Sequence, residues 1–464
     1  MSQTEFEAAT AGLRDLLPSL IADLEQAYPY AAAVVTDTAG LEVSVDTRKQ
    51  TVNFRQPMRG TVFTVFDGRT VHELATSSWD PGELTRLAAR LKGRALGLRP
   101  PLIEAGQPES GHHVGAALRP AESVPLDEKV AFCASTRAAL AALDQRIVNA
   151  MVAYTEGTER KLFVNRSKVV SDEVTRVSAR SIAFASDGGQ ARYYMTRAGG
   201  TGGFELAAFT PEELERVVKV AVDLLGAGKV DPGTYPVVVH PEVGGIIAHE
   251  AFGHGVELDM FLKGRARAQE YLGRQVAADL VSLVDDPSLP GAYGSYAFDD
   301  EGQRSAPTPI LTRGVFLEGL SDFATSAALR AKRTANGRRQ DFRRKAYPRM
   351  SNTFFVPGQT PVGALFEGIK DGFYLESGLS GMEDPKDWGI QVIAYHGRRI
   401  RNGKLTGDYI TNVGITGFVP DLLMSIDAVA NDFGLHPGGC GKGHKEFVPV
   451  STGGPHLRMK ARLG

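Results

Sequence analysis

The residues best suited to chemistry lie in one short stretch, Ile246-Ile247-Ala248-His249-Glu250-Ala251-Phe252-Gly253-His254-Gly255. This stretch places two histidines and a carboxylate within six residues. Imidazole nitrogens bind Zn²⁺, and a carboxylate beside the metal acts as a base toward its bound water. Together with the lone distant thiol of Cys440, the stretch predicts a zinc-dependent peptidase.

The spacing of the two histidines sets a condition on the backbone. His249 and His254 are five residues apart, whereas histidines four apart stack on one face of an α-helix. Five steps rotate the second imidazole by roughly 140° from the first. We therefore expect a local distortion of the helix, such as a π-bulge, eased by Gly253. Without it, the histidines would only cap or hydrogen-bond within a buried helix.

Length and composition are those of an ordinary globular protein. The 464 residues are 42% hydrophobic and 23% charged, with a net charge of −2. These values predict two or three domains and no field that attracts nucleic acid or an anionic membrane. The sequence has no apolar run near the roughly 18 residues of a membrane span, and its acidic start does not resemble a signal peptide. With only two cysteines, Cys133 and Cys440, a disulfide framework is excluded and a cytoplasmic location is predicted.

Patterns in residues 1–230 predict an antiparallel sheet with packed helices. The opening helix contains Pro18, which is expected to kink or split it. Turns are predicted at Asp37-Thr38-Ala39-Gly40 and at Asp67-Gly68, each between alternating apolar segments. Residues 147–206 have the alternation of an antiparallel meander, and a capping box at Thr210-Pro211-Glu212-Glu213 begins a helix.

A proline-containing segment, residues 99–122, is predicted to be a long exposed connection. It contains His112 and His113, whose side chains would point in opposite directions in an extended segment, which argues against joint metal binding. The helix that follows places Cys133 among apolar residues, so this thiol is predicted to fill the core.

Asp231-Pro232-Gly233 is the predicted domain boundary, because a new strand begins directly after it. Residues 231–464 predict a mostly antiparallel β domain around one helix that carries both histidines. The predicted fold class is therefore α+β, with an N-terminal domain (1–230) and a C-terminal domain (231–464). An exposed sheet edge beside the metal would let an extended peptide add as a strand.

Four motifs of the C-terminal half carry a family resemblance. In chain order they are HEAFGHG at 249–255, YGSYAFDDEG at 293–302, PRMSNT at 348–353 and GGCGK at 438–442. Together they resemble the TldD/PmbA family of metallopeptidases, in particular its metal-bearing TldD-type subunit. The N-terminal half matches only in layout.

The resemblance implies a Zn²⁺ held by His249, His254 and Cys440, with Glu250 as the catalytic carboxylate. The donor chemistry agrees, because two imidazoles and a thiolate leave one tetrahedral position for water. Glu250 could then take a proton from that water and pass it to the leaving amine. His436 and His444 flank Cys440 by four residues on either side and stay open as alternative ligands or supporting groups.

The resemblance also implies a substrate class and a partner. Family members act on unfolded or small peptides, and they form a homodimer or a heterodimer with a metal-free paralogous subunit. The residues themselves do not identify a substrate-binding site, the peptide substrate or the partner.

The basic segment 330–349 leaves a second function open. It is dominated by arginine and lysine and holds one acid, Asp341. A nucleic-acid groove, a solvated face and a positive segment that holds a peptide carboxylate are all compatible with it. The lack of stacking aromatics favours the solvated face. The alternative function is a non-catalytic, metal-stabilised protein that binds nucleic acid or a protein partner through this segment.

Overall fold

The structure is a computed structural model that describes residues 3–95, 106–443 and 446–464. Its first sheet lies in the N-terminal half. The strands, numbered along the chain, are β1 (Tyr30–Val45), β2 (Gln50–Phe66), β3 (Val71–Thr76), β4 (Glu109–Val114), β5 (Ile147–Asn165), β6 (Lys168–Ser186) and β7 (Ala191–Thr201). They lie in the order β3-β2-β1-β5-β6-β4, and β7 also pairs with β6. All pairs are antiparallel except β4 with β6.

Helices cover one face of this sheet. They are α1 (Gln3–Leu24), α2 (Pro81–Lys92), α3 (Leu126–Ala142) and α4 (Pro211–Asp223). Alternate residues of β5 point toward these helices. Leu162 and Val164 belong to the hydrophobic core that contains α1 and α2. Val152 and Tyr154 belong to the hydrophobic core that contains α3 and α4. The opposite face of the sheet is therefore turned toward the second half of the chain.

Several local predictions for this half are confirmed. Asp67-Gly68 joins β2 to β3 as a hairpin, with Gly68 at a positive φ of 97°. The meander is β5, β6 and β7, paired in sequence. Thr210 and Glu213 form both hydrogen bonds of the capping box at the start of α4. Cys133 is fully buried.

Other predictions for this half are wrong. β1 continues through the predicted turn at Asp37-Thr38-Ala39-Gly40, because all four residues pair with β5 and all except Ala39, where the register shifts, pair with β2. α1 is one helix that contains Pro18, so Pro18 does not split it, and the alternative of a kink at Pro18 stays a prediction. Residues 109–114 of the predicted connection form β4, while residues 96–105 lie outside the described ranges. Long-range pairing and packing outweigh the local preferences at these sites.

The second half contains many short strands and a few long ones. They are β8 (Gly233–Val239), β9 (Leu283–Asp285), β10 (Thr308–Thr312), β11 (Val315–Phe316), β12 (Gly337–Arg338), β13 (Tyr347–Pro348), β14 (Asn352–Phe355), β15 (Asp371–Asp384), β16 (Gly389–Arg401), β17 (Lys404–Phe418), β18 (Ala428–Val429), β19 (Gly434–Lys442), β20 (Glu446–Gly454) and β21 (Leu457–Leu463). The helices are α5 (Pro241–Phe252), α6 (Leu258–Leu262), α7 (Phe323–Leu329) and α8 (Val419–Met424).

Two larger sheets and one strand pair result. One sheet has the order β17-β16-β15-β8-β21-β18 and closes on itself, because β17 also pairs with β21. The other has the order β11-β10-β9-β14-β20-β19, and β12 pairs with β13. Most pairs are antiparallel, but β8 with β15 and β14 with β20 are parallel. The predicted α+β fold, with one central helix in a mostly antiparallel second half, is confirmed.

Helix α5 lies between these two sheets, and glycines allow its close approach. A Cβ added at Gly245 would lie 2.3 Å from the backbone nitrogen of Gly453 on β20. A Cβ added at Gly378 of β15 would lie 2.3 Å from the side chain of Ile246. The helix is thus held against strands on two sides, which fixes the position of its C-terminal end. In the described ranges, no helix is long and apolar enough to cross a membrane.

Candidate metal centre

Helix α5 ends between His249 and His254, and this helix end is the backbone distortion that the histidine spacing requires. α5 begins after His240, whose ring accepts a hydrogen bond from the amide of Glu242, and it ends at Phe252. The amide of Gly253 still donates to the carbonyl oxygen of His249 at 3.0 Å. His254 then starts a 3₁₀ turn. The predicted distortion is present, but the suggested π-bulge is wrong.

Gly253 is required at this helix end by its neighbours. A Cβ there would lie 1.7 Å from the sulfur of Met350 and 2.3 Å from the carbonyl oxygen of His249. Both distances are far below van der Waals contact, so a larger residue would displace the turn that carries His254. Gly253 therefore allows the turn to pack closely against Met350.

The structure brings together three of the predicted site residues. The ligand atoms of His249, His254 and Cys440 all lie within 4.8 Å of one another. The sulfur of Cys440 is 3.3 Å from Nε2 of His254, and the two imidazole rings are perpendicular with centroids 5.1 Å apart. Cys440 reaches the histidines because it lies on β19, at the edge of the sheet that packs on α5.

The donor set and the buried atoms fit a zinc ion. Ligand atoms around tetrahedral Zn²⁺ are about 3.5 Å apart, given bonds of about 2.0–2.3 Å. Nδ1 of His249 is buried and has no hydrogen-bond partner among the described residues. Buried polar atoms rarely lack a partner, and a metal ion bound by this ring nitrogen would provide one.

The charges of the cluster favour a thiolate. Burial by itself would raise the pKa of Cys440, but His249 and His254 lower this pKa well below its usual range. Burial would likewise lower the pKa of His254, but Cys440 and Glu257 raise it well above its usual range. A thiolate is the form of cysteine that binds metals.

Charged residues to which the sequence analysis gave no role contact the predicted ligands Cys440 and His254. Nη2 of Arg349 donates to the sulfur of Cys440 at 3.1 Å. The carboxylate of Glu257 lies 3.3 Å from Nδ1 of His254 and 2.9 Å from Nζ of Lys442. Burial opposes ionisation of Glu257, yet Lys442 and His254 lower its pKa to about 2. Arg349 and Lys442 lie within motifs already noted at 348–353 and 438–442, which was the available signal.

Glu250 and the cluster share one large cavity. Its volume is about 1280 Å³, and it is lined by Glu250, His249, His254 and Cys440 together with residues of β6, β7, β15 and β19. Glu250 is held by β15, since a Cβ added at Gly381 would lie 2.5 Å from its Cγ. Glu383, whose carboxylate oxygens are buried, supplies a second carboxyl group here. Burial raises the pKa of Glu383 to about 9; the nearby His254 acts to lower this pKa, and Glu250 acts to raise it.

The remaining histidine predictions have separate outcomes. His436 lines the cavity but packs toward His240, with ring centroids 5.8 Å apart, and it is not part of the three-residue cluster. His444 lies outside the described residues. His112 contacts Ser171 at 2.7 Å, whereas His113 packs on Phe298, so this pair does not converge.

The prediction of a solvated face for the basic segment 330–349 is wrong for three arginines. Arg338, Arg339 and Arg349 are 5%, 6% and 1% exposed. Arg338 donates to the carbonyl oxygens of Met350 and Pro449, so it joins separate parts of the fold. These guanidinium groups are already engaged within the protein and cannot form the proposed nucleic-acid groove.

Comparisons with known proteins agree with the motifs. Residues 119–227 match the PmbA/TldA metallopeptidase central domain, and residues 232–462 match the C-terminal domain. A metalloprotease of Methanothermobacter thermautotrophicus is 31% identical over 405 residues, which cover 85% of this chain and 87% of the relative. A zinc metalloprotease TldD homolog of Saccharolobus solfataricus is 33% identical over 248 residues, 53% of this chain and 55% of the relative.

A solved structure shows the same fold. TldE from Thermococcus kodakarensis superposes with a TM-score of 0.73 at 15% identity, covering 97% of this chain and 99% of that protein. At this identity the likeness concerns the fold alone. The matched domains and the 31% identity over most of the chain are sufficient for the family assignment: the chain belongs to the PmbA/TldD family of metallopeptidases.

Proposed function

We propose that this chain is a zinc-dependent peptidase of the TldD type that hydrolyses unfolded or small peptides. The observation that supports this most directly is the convergence of His249, His254 and Cys440 in a cavity that Glu250 also lines. A zinc ion held by these three side chains would polarise the scissile carbonyl and lower the pKa of a water molecule.

Glu250 has the role of proton carrier in this proposal. Its side chain follows His249 directly in α5 and faces the same cavity. It accepts the proton of the attacking water and transfers it to the amine that leaves when the peptide bond breaks. The fixed contact between β15 and Glu250 at Gly381 limits the movement of the carboxylate between these two steps.

Sheet edges next to the cluster are suited to an extended substrate. β19 pairs with β20 on one side, and within the described ranges no strand pairs with its other side. Residues 380–384 of β15 likewise pair only with β16 among the described strands. Free amide and carbonyl groups of an edge strand can hydrogen-bond a peptide backbone with little dependence on its side chains. An unfolded peptide offers these groups, whereas a folded domain does not.

The proposal includes a dimer and a cytoplasmic location. The fold is shared with TldE of Thermococcus kodakarensis, which supports pairing either with a second copy of this chain or with a metal-free paralogue. Cys133 and Cys440 are free thiols, as expected in a reducing compartment.

Replacement of Glu250 by Gln tests the catalytic role. Zinc content, measured by atomic absorption, should equal that of the wild type, while cleavage of unfolded casein should be lost. Glu215→Gln, which changes an exposed glutamate of α4, is the matched control and should retain activity. Full activity of the Glu250→Gln protein, or no cleavage by zinc-loaded wild type, would contradict the proposal.

A further inference from the structure

Two arginines of the first sheet face the same cavity as the metal cluster. Arg180 on β6 and Arg197 on β7 are directly opposite each other in the antiparallel register. Residues paired in this way project from the same face of a sheet. Both side chains are exposed and line the cavity that contains Glu250 and Cys440. The sheet therefore presents a pair of guanidinium groups to the space where a substrate would lie.

This pairing of like charges is unusual within the sheet. Arg160 forms an ion pair with Glu173 at 2.7 Å, and Arg176 forms one with Glu159 at 3.2 Å. Among the described residues, Arg180 and Arg197 have no ion pair with a carboxylate. Like charges directly opposite on neighbouring strands destabilise a sheet, so this arrangement is not explained by folding stability.

The neighbouring residues leave room for a ligand. Arg180 is opposite Ala153 on β5, and Ser178 lies two residues before it on the same face. Small side chains at both positions leave open space above the sheet beside the guanidinium groups. The cavity wall at this point thus carries two exposed, positively charged groups beside small side chains.

No described carboxylate that lines the cavity forms an ion pair with Arg180 or Arg197. Lys442 contacts both Glu257, at 2.9 Å, and Asp259, at 2.6 Å. Burial raises the pKa of Glu242 to about 7, although Arg197 opposes this rise. A positive charge remains at Arg180 and Arg197 for an external partner.

We infer that Arg180 and Arg197 form a subsite that binds a carboxylate of the peptide substrate. This inference rests on the proposed peptidase function and adds a substrate preference to it. Two guanidinium groups can hold one carboxylate through several charge-assisted hydrogen bonds in a fixed geometry. The carboxylate belongs either to the C-terminus of the peptide or to an Asp or Glu side chain. The buried arginines of segment 330–349 are not available for this role.

Two pairs of synthetic unstructured peptides distinguish the sources of the carboxylate. In the first pair, a peptide without acidic side chains ends in a free acid or in an amide. In the second pair, both peptides end in an amide and carry Glu or Gln at one position, which is scanned along the sequence. The proteins compared are wild type, Arg180→Gln/Arg197→Gln, and the control Arg48→Gln/Arg69→Gln, which changes two exposed arginines in turns of the same sheet.

The expected result is a difference in kcat/KM. Wild type should cleave the carboxylate-bearing member of one pair at least about tenfold better, as expected for hydrogen bonds to a charged group. The double variant should lose this preference and cleave the neutral member within about twofold of wild type. The control should behave as wild type. No preference in wild type for either pair, or an unchanged preference in the double variant, would overturn the inference.

A binding measurement separates this inference from the catalytic proposal. Fluorescence anisotropy with the same peptides and zinc-loaded Glu250→Gln protein reports affinity without cleavage. A carboxylate preference in binding that disappears when Arg180 and Arg197 are also replaced would support the subsite even if wild type cleaves no peptide. Equal affinity for both members of each pair would contradict the subsite whether or not cleavage occurs.

Discussion

Arg349 donates hydrogen bonds to both the carbonyl oxygen and the sulfur of Cys440, at 2.8 and 3.1 Å. The guanidinium group is almost fully buried and also lies 3.6 Å from Glu257, which in turn contacts the ring of His254. One arginine therefore connects Cys440, a predicted ligand on β19, with the carboxylate that contacts His254, the predicted ligand after α5. Groups of this kind fix the direction of a metal ligand and adjust its basicity.

Replacement of Arg349 by Gln should weaken zinc binding by about 10- to 100-fold, because the thiolate of Cys440 and the carboxylate of Glu257 lose their shared partner. A competition titration with a chromophoric chelator measures this affinity. Arg274→Gln, at an exposed position of the same half, should leave it unchanged. Equal zinc affinity in the Arg349→Gln protein would show that the contact does not orient the ligand.

Replacement of Gly253 by Ala should reduce both stability and zinc content. The added methyl group would overlap the sulfur of Met350 and the carbonyl oxygen of His249, at a cost of about 1–3 kcal/mol. Denaturant unfolding and metal analysis measure the two effects. Gly441→Ala is a matched control, because Gly441 lies beside Cys440 but no atom of the described residues is within 4 Å of its added Cβ. Similar behaviour of both variants would remove the steric argument.

The cluster shows how far sequence reasoning extends. The types and order of His249, Glu250 and His254 predicted a metal site, and the five-residue spacing predicted an irregular backbone. The form of that irregularity was not predictable, because it depends on the contact of Gly253 with Met350, a residue 97 positions away in the chain. The convergence of Cys440 on His254 similarly depends on the placement of β19 against α5.

For the arginines, the sequence predicted neither which side chains are buried nor which face the cavity. A run of basic residues at 330–349 indicated a charged surface, yet Arg338 and Arg339 are buried among carbonyl oxygens and carboxylates. Arg180 and Arg197 gave no signal, because they are separated along the chain and face the same cavity only through the register of β6 and β7. Charge along a sequence does not show which groups are buried, whereas strand register does.

Replacement of Arg339 by Gln should destabilise the protein by about 3–5 kcal/mol, because it leaves the buried carboxylate of Asp300 and the partly buried carboxylate of Glu73 without this partner. Denaturant unfolding provides the measurement. Arg330→Gln is the control: its side chain is exposed and forms no ion pair among the described residues, so a change within about 0.5 kcal/mol is expected. A small effect at Arg339 would restore the interpretation of this segment as a surface for binding.

Glu242 should make stability depend on pH. Burial raises its pKa from 4.5 to about 7, so the folded protein binds more protons than the unfolded chain between these values. Stability therefore falls as the pH rises through this window. Glu242→Gln removes the titrating group. Between pH 5 and pH 8, the free energy of unfolding of this variant should therefore rise by up to about 3 kcal/mol relative to that of the wild type.

Unfolding by denaturant at both pH values, with a chelator present so that zinc does not contribute, tests the role of Glu242. The difference in unfolding free energy between variant and wild type should be larger at pH 8 than at pH 5. An identical difference at the two pH values would show that Glu242 titrates normally.

The two thiols provide the most direct test of the metal centre, because both are buried but only one lies near the histidines. Cys440→Ser should lose most of the bound zinc and the peptide cleavage, since a hydroxyl group is a much weaker ligand than the thiolate that His249 and His254 stabilise. Cys133→Ser should keep its zinc, because Cys133 is not part of the three-residue cluster: burial raises the pKa of its thiol to about 12, and its sulfur lies 3.9 Å from the carbonyl oxygen of Val43. Metal analysis of both purified proteins gives the comparison. Zinc retained at one equivalent in Cys440→Ser would require a different third ligand, and equal loss in both variants would indicate general unfolding instead of a missing ligand.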